Sequence, residues 1–449
     1  MKITTDIPIT ENMLGKIKGL LKIERIGARI GSVSTDSREV GENDLFFALK
    51  GERTDGEDYI KDAKAKGAIT VSARDPDADI FVESVGDALL SLSEIYKDAT
   101  SPKATVAITG SVGKTTTKDL CAAILSASYR VHATPGNFNN EIGVPFTIFS
   151  MPKDTEILIA EVGMNHKGEL RRLAKTLKPS ISVITKIGTA HIGNLGSRRD
   201  IAEAKCEIID REREGSAIIP FGEPLLSHIG GKRVSLTDPR ADYLLSHHPY
   251  DGKFDFLCDR FSLSGVSLNL KGAHVPECLA FAIAVAESLG QSANDIRRGA
   301  EGIYDIERAA HITKIGDIRI IDDSYNASLE SITAALETLT LESGRHIAVI
   351  GDVLELADMA ESTHLSIGEA CAKSGISFLF TFGEYAEVIA RGAYRAGMPK
   401  HRVHVNRDLN APRVSAEALR AVLRPDDIVL FKASHRIGIN RITDAIRNT

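Results

Sequence analysis

Residues 105–120, TVAITGSVGKTTTKDL, constrain this chain more than any other segment. A short apolar run enters a glycine-bracketed turn, and a helix-forming stretch opens with Lys114, Thr115 and Thr116. Strands that feed helices through such turns build parallel sheets covered on both faces. The turn also carries chemistry. Backbone N–H groups around Gly110, Ser111 and Gly113, with the helix N-terminus, cradle phosphate. Lys114 reaches the β and γ oxygens, and the Thr115 hydroxyl suits magnesium. Ile108 stands where a strict G-x-x-x-x-G-K-T pattern has its first glycine. The strand-to-helix setting still predicts a nucleoside triphosphate site, without saying what reaction it serves.

The same alternation recurs on both sides of this segment. Residues 1–100 read as a small α/β unit, and Ser101-Pro102-Lys103-Ala104 as a linker, because proline restricts the residue before it. From 101 to 308 the buried runs TVAIT, EILIAEV and ISVITKIG alternate with helices, followed by a turn-rich block at about 215–272 and the alanine-rich helix ECLAFAIAVAESLG. From 309 to 449 the runs IRIID, HIAVIGD, SFLFTFG, RVHV and DIVLFKAS suggest a Rossmann-like sheet, although none of its turns has G-x-G-x-x-G. At 449 residues, about 150 per domain, the expected fold class is α/β with three domains.

Composition removes several functions. A net charge of -6, no tryptophan and 5% aromatics disfavour nucleic acid as a partner. Five cysteines without C-x-x-C spacing leave one over from any pairing, which suits a reducing cytosol. The N-terminus lacks the apolar core of a signal peptide, and no stretch has the length of a spanning helix. The expected location is therefore cytoplasmic, without membrane insertion.

Further candidates lie at the ends of the apolar runs. Glu161 closes EILIAEV; it is either a strand-end carboxylate in water or, beside a phosphate loop, a magnesium ligand, and the loop favours the ligand. His191, alone after ISVITKIGTA, reads on its own as an ordinary satisfied polar residue. Lys205, in DIAEAKCEII, reads as a solvated helix lysine. Asp322 and Asp323 with Ser324, Tyr325 and Asn326 suit either helix capping or contacts to adenine and ribose.

These segments together resemble the Mur ligase family, most closely its D-alanyl-D-alanine-adding branch. The resemblance runs in order through STDSR (34–38), DLFFALKGERTDG (44–56), TGSVGKTTTK (109–118), GNFNNEIGVP (136–145), EVGMNHKGE (161–169), AHIGNLGS (190–197), AKCEI (204–208), GAHV (272–275), DDSYNAS (322–328), GDVLEL (351–356) and KASHRIG (432–438). It implies an N-terminal domain for a uridine-diphosphate-linked peptide, a central ATP domain and a closing C-terminal domain. It also implies an amide ligase that activates a carboxylate as an acyl phosphate for attack by an amino acid or dipeptide amine, and a monomer. By that likeness Gly110, Ser111, Gly113, Lys114, Thr115 and Thr116 hold ATP, with Arg308, Asp323, Tyr325 and Asn326 completing its site. Lys114, Lys205, His191 and Arg308 serve catalysis. Two magnesium ions fall to Thr115, Glu161, His191 and a carbamoylated Lys205. Ser34, Asp36, Ser37, Arg38, Asn137, Asn139, Asn140 and Ser434 meet substrate, with Lys432 in the same closing loop.

The chain departs from the family pattern at Val275 and Cys278, in place of two asparagines, and at Glu57, in place of a histidine. Ser328 and Leu329 replace an Asn-Pro pair, and Ala433 replaces a glycine. Cys278 is expected to face the nucleotide. The departures keep open a divergent ligase acting on another carboxylate and amine. A non-catalytic nucleotide switch is the third reading, and it would not need Glu161, His191 and Lys205 together.

Overall fold

The computed structural model describes residues 1–51, 54–209, 216–247, 253–268, 272–303 and 312–447. They form three sheets. The first runs in the order Lys2–Ile9, Ile30–Ser34, Leu45–Phe47, Ile69–Ser72, Ile80–Val82 and Leu20–Ile23. The helix Val85–Thr100 follows and stops at Ser101, whose φ of 55° turns the chain into the expected linker.

The central sheet has nine strands. At its heart Ala104–Thr109 lies between Ile157–Glu161 and Ile181–Ile184, parallel to both. All of Ala104–Thr109 is buried, which explains its unbroken apolar run: helices cover both faces. The register pairs Ile108 with Glu161 and Thr109 with Ile184, so the three strands end at one edge. The turn-rich block extends the sheet through Ala217–Pro220, Lys232–Ser235 and Tyr243–His247, all parallel, to the antiparallel strands Lys253–Cys258 and Ser262–Ser267. A short strand at Val131–Ala133, invisible in the sequence pattern, closes the other side. Helix Val275–Ser288 is buried almost all round, and its alanines let it lie close to the helix Lys114–Leu125.

The third sheet runs Ile312–Ile315, Ile318–Asp322, Ile428–Lys432, His346–Gly351, Phe378–Phe382 and Val403–Asn406, parallel except for its first strand. Asp322 pairs with Phe431 and Ile350 with Lys432, so the DDSYNAS, GDVLEL and KASHRIG segments leave one edge together. A continuous apolar cluster joins all three sheets, from Leu14 through Phe146 and Leu158 to Leu336 and Ile350. Tyr96 meets Phe149 edge to face at 5.6 Å and receives the Ile7 N–H on its hydroxyl. Rings buried in this way contribute roughly 1.5–3 kcal/mol each. Among the described residues no helix is long and apolar enough to cross a membrane.

Candidate functional site

The phosphate loop is shaped from beneath by Thr185. Its Oγ1 donates to the Val112 carbonyl at 2.6 Å, and a Cβ on Gly110 would lie 1.9 Å from the same oxygen, so only glycine fits there. Ser111 is held by its N–H to the Lys186 carbonyl, while its hydroxyl accepts the Gly188 N–H at 2.9 Å. Lys114 folds back to donate to the Gly110 carbonyl at 2.8 Å. Its removal from water pulls its pKa down, partly opposed by the nearby Glu161 carboxylate.

Glu161 does not face water: it is 2% exposed. One oxygen accepts the Thr115 hydroxyl at 2.8 Å and the other the Asn139 amide at 2.8 Å, while its N–H donates to Thr134 Oγ1. Thr115 and Glu161 therefore present hard oxygens side by side. Among the described residues no three His, Cys, Asp or Glu side chains cluster as a metal cage. Magnesium bound through phosphate oxygens takes only one or two protein carboxylates, so this pair fits it.

Lys205 corrects the residue-level reading. It is 2% exposed on the inner face of the helix Arg198–Cys206, not solvated. Burial, and secondarily the charge of Lys114, drive its pKa well below the ordinary lysine value. The missed signal was its place on the stripe Ile201, Ala204, Lys205, Ile208. His191, at φ 65°, pairs through Nδ1 with Glu355 Oε2 at 2.6 Å across the two domains.

From the third sheet, buried Lys432 donates to Asp323 at 2.6 Å and to the Asn326 carbonyl at 3.0 Å. Capping of the helix Leu329–Thr340 falls to Ser328, in a reciprocal box with Ser331, which leaves residues 322–326 out of that task. Half-exposed Tyr325 tilts against His435. Ser434 Oγ accepts the Leu354 N–H. A cavity of about 300 Å³ opens between the domains, lined by Asn137, His191, Tyr325, Asn326, Ser434 and Arg436 among others.

Other candidates fall elsewhere. In STDSR, Ser34 is buried, Asp36 holds Arg38 in a two-pronged pair that keeps the Asp36 carboxyl far below its usual range, and the Ser37 carbonyl accepts Lys66. This turn belongs to the first sheet and is not part of the cavity lining. The Asn140 carboxamide oxygen is spent on the N–H groups of Ile142 and Gly143. Arg308 lies outside the described residues. Val275 and Cys278 are buried in packing; Cys278 sits beneath the phosphate loop, its thiol 3.6 Å from the Gly113 carbonyl. Glu57 is bound to Ser72 and the Ala73 N–H inside the first domain. The Ala433 side chain is packed against Gly351. Sequence reasoning named no role for Glu330, Glu355 or His274. His274, its pKa lowered by burial, stands 3.4 Å from the Thr116 hydroxyl and close to Asp323 and Lys432.

A phosphate loop at the edge of a parallel sheet, facing a second parallel sheet across a polar cleft, has the form of a nucleotide-binding site between two domains. The chain belongs to the Mur ligase family: it matches the Mur ligase family catalytic domain over residues 29–106, the Mur ligase middle domain over 108–286 and the Mur ligase glutamate ligase domain over 307–435. It is 35% identical over 429 residues to the UDP-N-acetylmuramoyl-tripeptide–D-alanyl-D-alanine ligase of Bacillus subtilis, covering 92% of each chain. Its structure is similar to that of MurF from Acinetobacter baumannii (TM-score 0.88, 26% identity, all of both chains) and of the MurF ligase from Thermotoga maritima in complex with ADP (TM-score 0.78, 27% identity, 93% and 97%).

Proposed function

We propose that this protein is an ATP-dependent ligase that joins D-alanyl-D-alanine to UDP-N-acetylmuramoyl-tripeptide through an acyl phosphate, in building peptidoglycan precursor. The observation that carries this reading is the cleft itself: Asn137, Thr189 and His191 of the central domain line it together with Asn326, Ser434 and Arg436 of the C-terminal domain, and the phosphate loop is tied to the same strip through Ser111 and Gly188. The phosphate loop grips the triphosphate, and Lys114 leaves the Gly110 carbonyl to follow the γ-phosphoryl as it moves to the carboxylate. Thr115 and Glu161 would hold a magnesium ion, and His191 with a carbamoylated Lys205 a second; bound there, magnesium would supply neutralising charge for that transfer. Buried Lys205 is suited to carbamoylation because burial lowers its pKa and so raises the share of neutral amine, the form that reacts with carbon dioxide.

The C-terminal wall receives the amine, and the cavity between the domains is where it meets the acyl phosphate. The STDSR turn and the first sheet hold the uridine diphosphate end, Arg308 and Tyr325 help hold ATP, and the chain works as a cytoplasmic monomer divided near residues 100 and 308. Val275 and Cys278 are packed away from solvent, whereas Ser328 lines the cavity. The test crosses UDP-linked peptides with amino acids and dipeptides in the presence of ATP and magnesium, with products read by mass spectrometry. Amide formed from the tripeptide and D-alanyl-D-alanine supports the reading. Amide formed only from another pair refutes it in favour of a divergent ligase, and ATP turnover without amide from any pair refutes ligation.

A further inference from the structure

Residues 188–193 of the central domain form a strip gripped from three directions. On the nucleotide side the Gly188 N–H donates to Ser111 of the phosphate loop. On the C-terminal side Glu330 takes hold of Thr189 twice, accepting its N–H at 2.8 Å and its hydroxyl at 3.1 Å. Glu355 then takes the far end: its carboxylate meets His191 Nδ1 at 2.6 Å and its carbonyl accepts the Gly193 N–H at 2.9 Å. A Cβ on Gly193 would lie 2.5 Å from that carbonyl, so the two chains touch where only glycine allows it.

Glu355 is held for this task at some cost. Both it and His191 have left-handed backbones, at φ 63° and 65°, a conformation that non-glycine residues keep only where surrounding structure imposes it. The imposing contacts are present. The Asp352 carboxylate accepts the N–H groups of Glu384 and Tyr385, His364 Nε2 accepts that of Val353, and Ser434 accepts that of Leu354. An ionised carboxylate only accepts, so His191 Nδ1 carries the proton and Nε2 is the nitrogen left to the cleft.

We propose that Glu330 and Glu355 are positioning residues that clasp residues 188–193 to the C-terminal domain, holding the cleft closed over the acyl phosphate and aiming His191 Nε2 into it. This rests on the ligase reading above and adds to it the residues that keep water out. Because the clasped strip is also tied to Ser111, the phosphate loop and the closing domain are joined through six residues. Acyl phosphates hydrolyse when water reaches them, so a loosened clasp leaks.

The experiment counts ADP released per amide formed by the full-length enzyme supplied with ATP, magnesium, UDP-N-acetylmuramoyl-tripeptide and D-alanyl-D-alanine. Wild type should give one ADP per amide. Glu330→Ala and Glu355→Ala should each raise that ratio, by roughly tenfold or more, as expected for loss of a charge-assisted hydrogen bond, and raise KM for the dipeptide. Glu330→Gln and Glu355→Gln, which keep an acceptor oxygen, should return the ratio to within about twofold of wild type. Gly193→Ala pushes the strip off the Glu355 carbonyl without touching either carboxylate, and should leak as well even if an alanine variant fails to fold. A ratio that stays at one in the folded alanine and Gly193→Ala variants overturns the clasp. A wild-type enzyme that makes no amide instead refutes the substrate reading, and with it the purpose of the clasp.

Discussion

Replacing Lys205 by methionine should stabilise the protein while abolishing ligation. Lys205 is 2% exposed, and the like charge of Lys114 adds to the loss of water in disfavouring its charged form. An unfolded lysine titrates near 10.4, and each unit by which burial depresses the folded value costs about 1.36 kcal/mol. Methionine has nearly the same shape and no such cost; Lys205→Met should therefore be the more stable protein at pH 7, by about 1.36 kcal/mol for each unit of that depression less some loss of packing. The sign follows from proton counting. Between the depressed folded value and pH 10.4 the unfolded chain binds a proton that the folded chain does not, so there wild-type stability rises with pH. The advantage of the variant is therefore absent above about pH 10.4, opens by about 1.36 kcal/mol per unit as pH falls, and stops opening at the depressed folded value. Urea unfolding of both proteins in carbon-dioxide-free buffer, at pH 8 and pH 10, measures the gap. A gap that is zero at both values, or the same at both, refutes the burial of a neutral amine.

Lys114→Ala should lower kcat by about 10²–10³ while leaving the melting profile intact, since the loop backbone still binds phosphate but the migrating charge loses its partner; near wild-type turnover in the folded variant would remove Lys114 from the reaction. Glu161→Gln should raise the magnesium concentration for half-maximal rate by about tenfold, because an amide is a weaker ligand for a hard cation, and an unchanged magnesium titration would show that Glu161 serves only Thr115 and Asn139. Arg436 lines the cavity and helps hold the Glu355 carboxyl below its ordinary range. Arg436→Ala should raise KM for D-alanyl-D-alanine by about tenfold but leave the C-terminally amidated dipeptide unaffected; equal shifts for both would mean that the guanidinium does not meet the acceptor carboxylate.

Much of this protein is written in local pattern. The unbroken apolar runs announce strands covered on both faces, and the glycine turn before Lys114 announces a phosphate cradle, because both depend on residues within about fifteen positions of one another. The same locality explains why Glu161 was suspect: it ends a buried strand next to the loop. Lys205 was misjudged on its own because a single lysine on a helix says nothing of which face is covered. Its neighbours Ile201 and Ile208 did hold that information. Lys432 lies more than a hundred residues from Asp323 and Asn326, and the three become one hydrogen-bonded group only through the register of Ile318–Asp322 beside Ile428–Lys432. Glu330 and Glu355 had no sequence signal, since their partners, Thr189 and His191, belong to another domain. Sequence alone thus determined the long buried strands, the phosphate loop and the family, but not the short strand Val131–Ala133. Tertiary structure decided which polar groups were withdrawn from water and which met across the cleft, because burial and hydrogen bonding depend on distances that chain order does not contain.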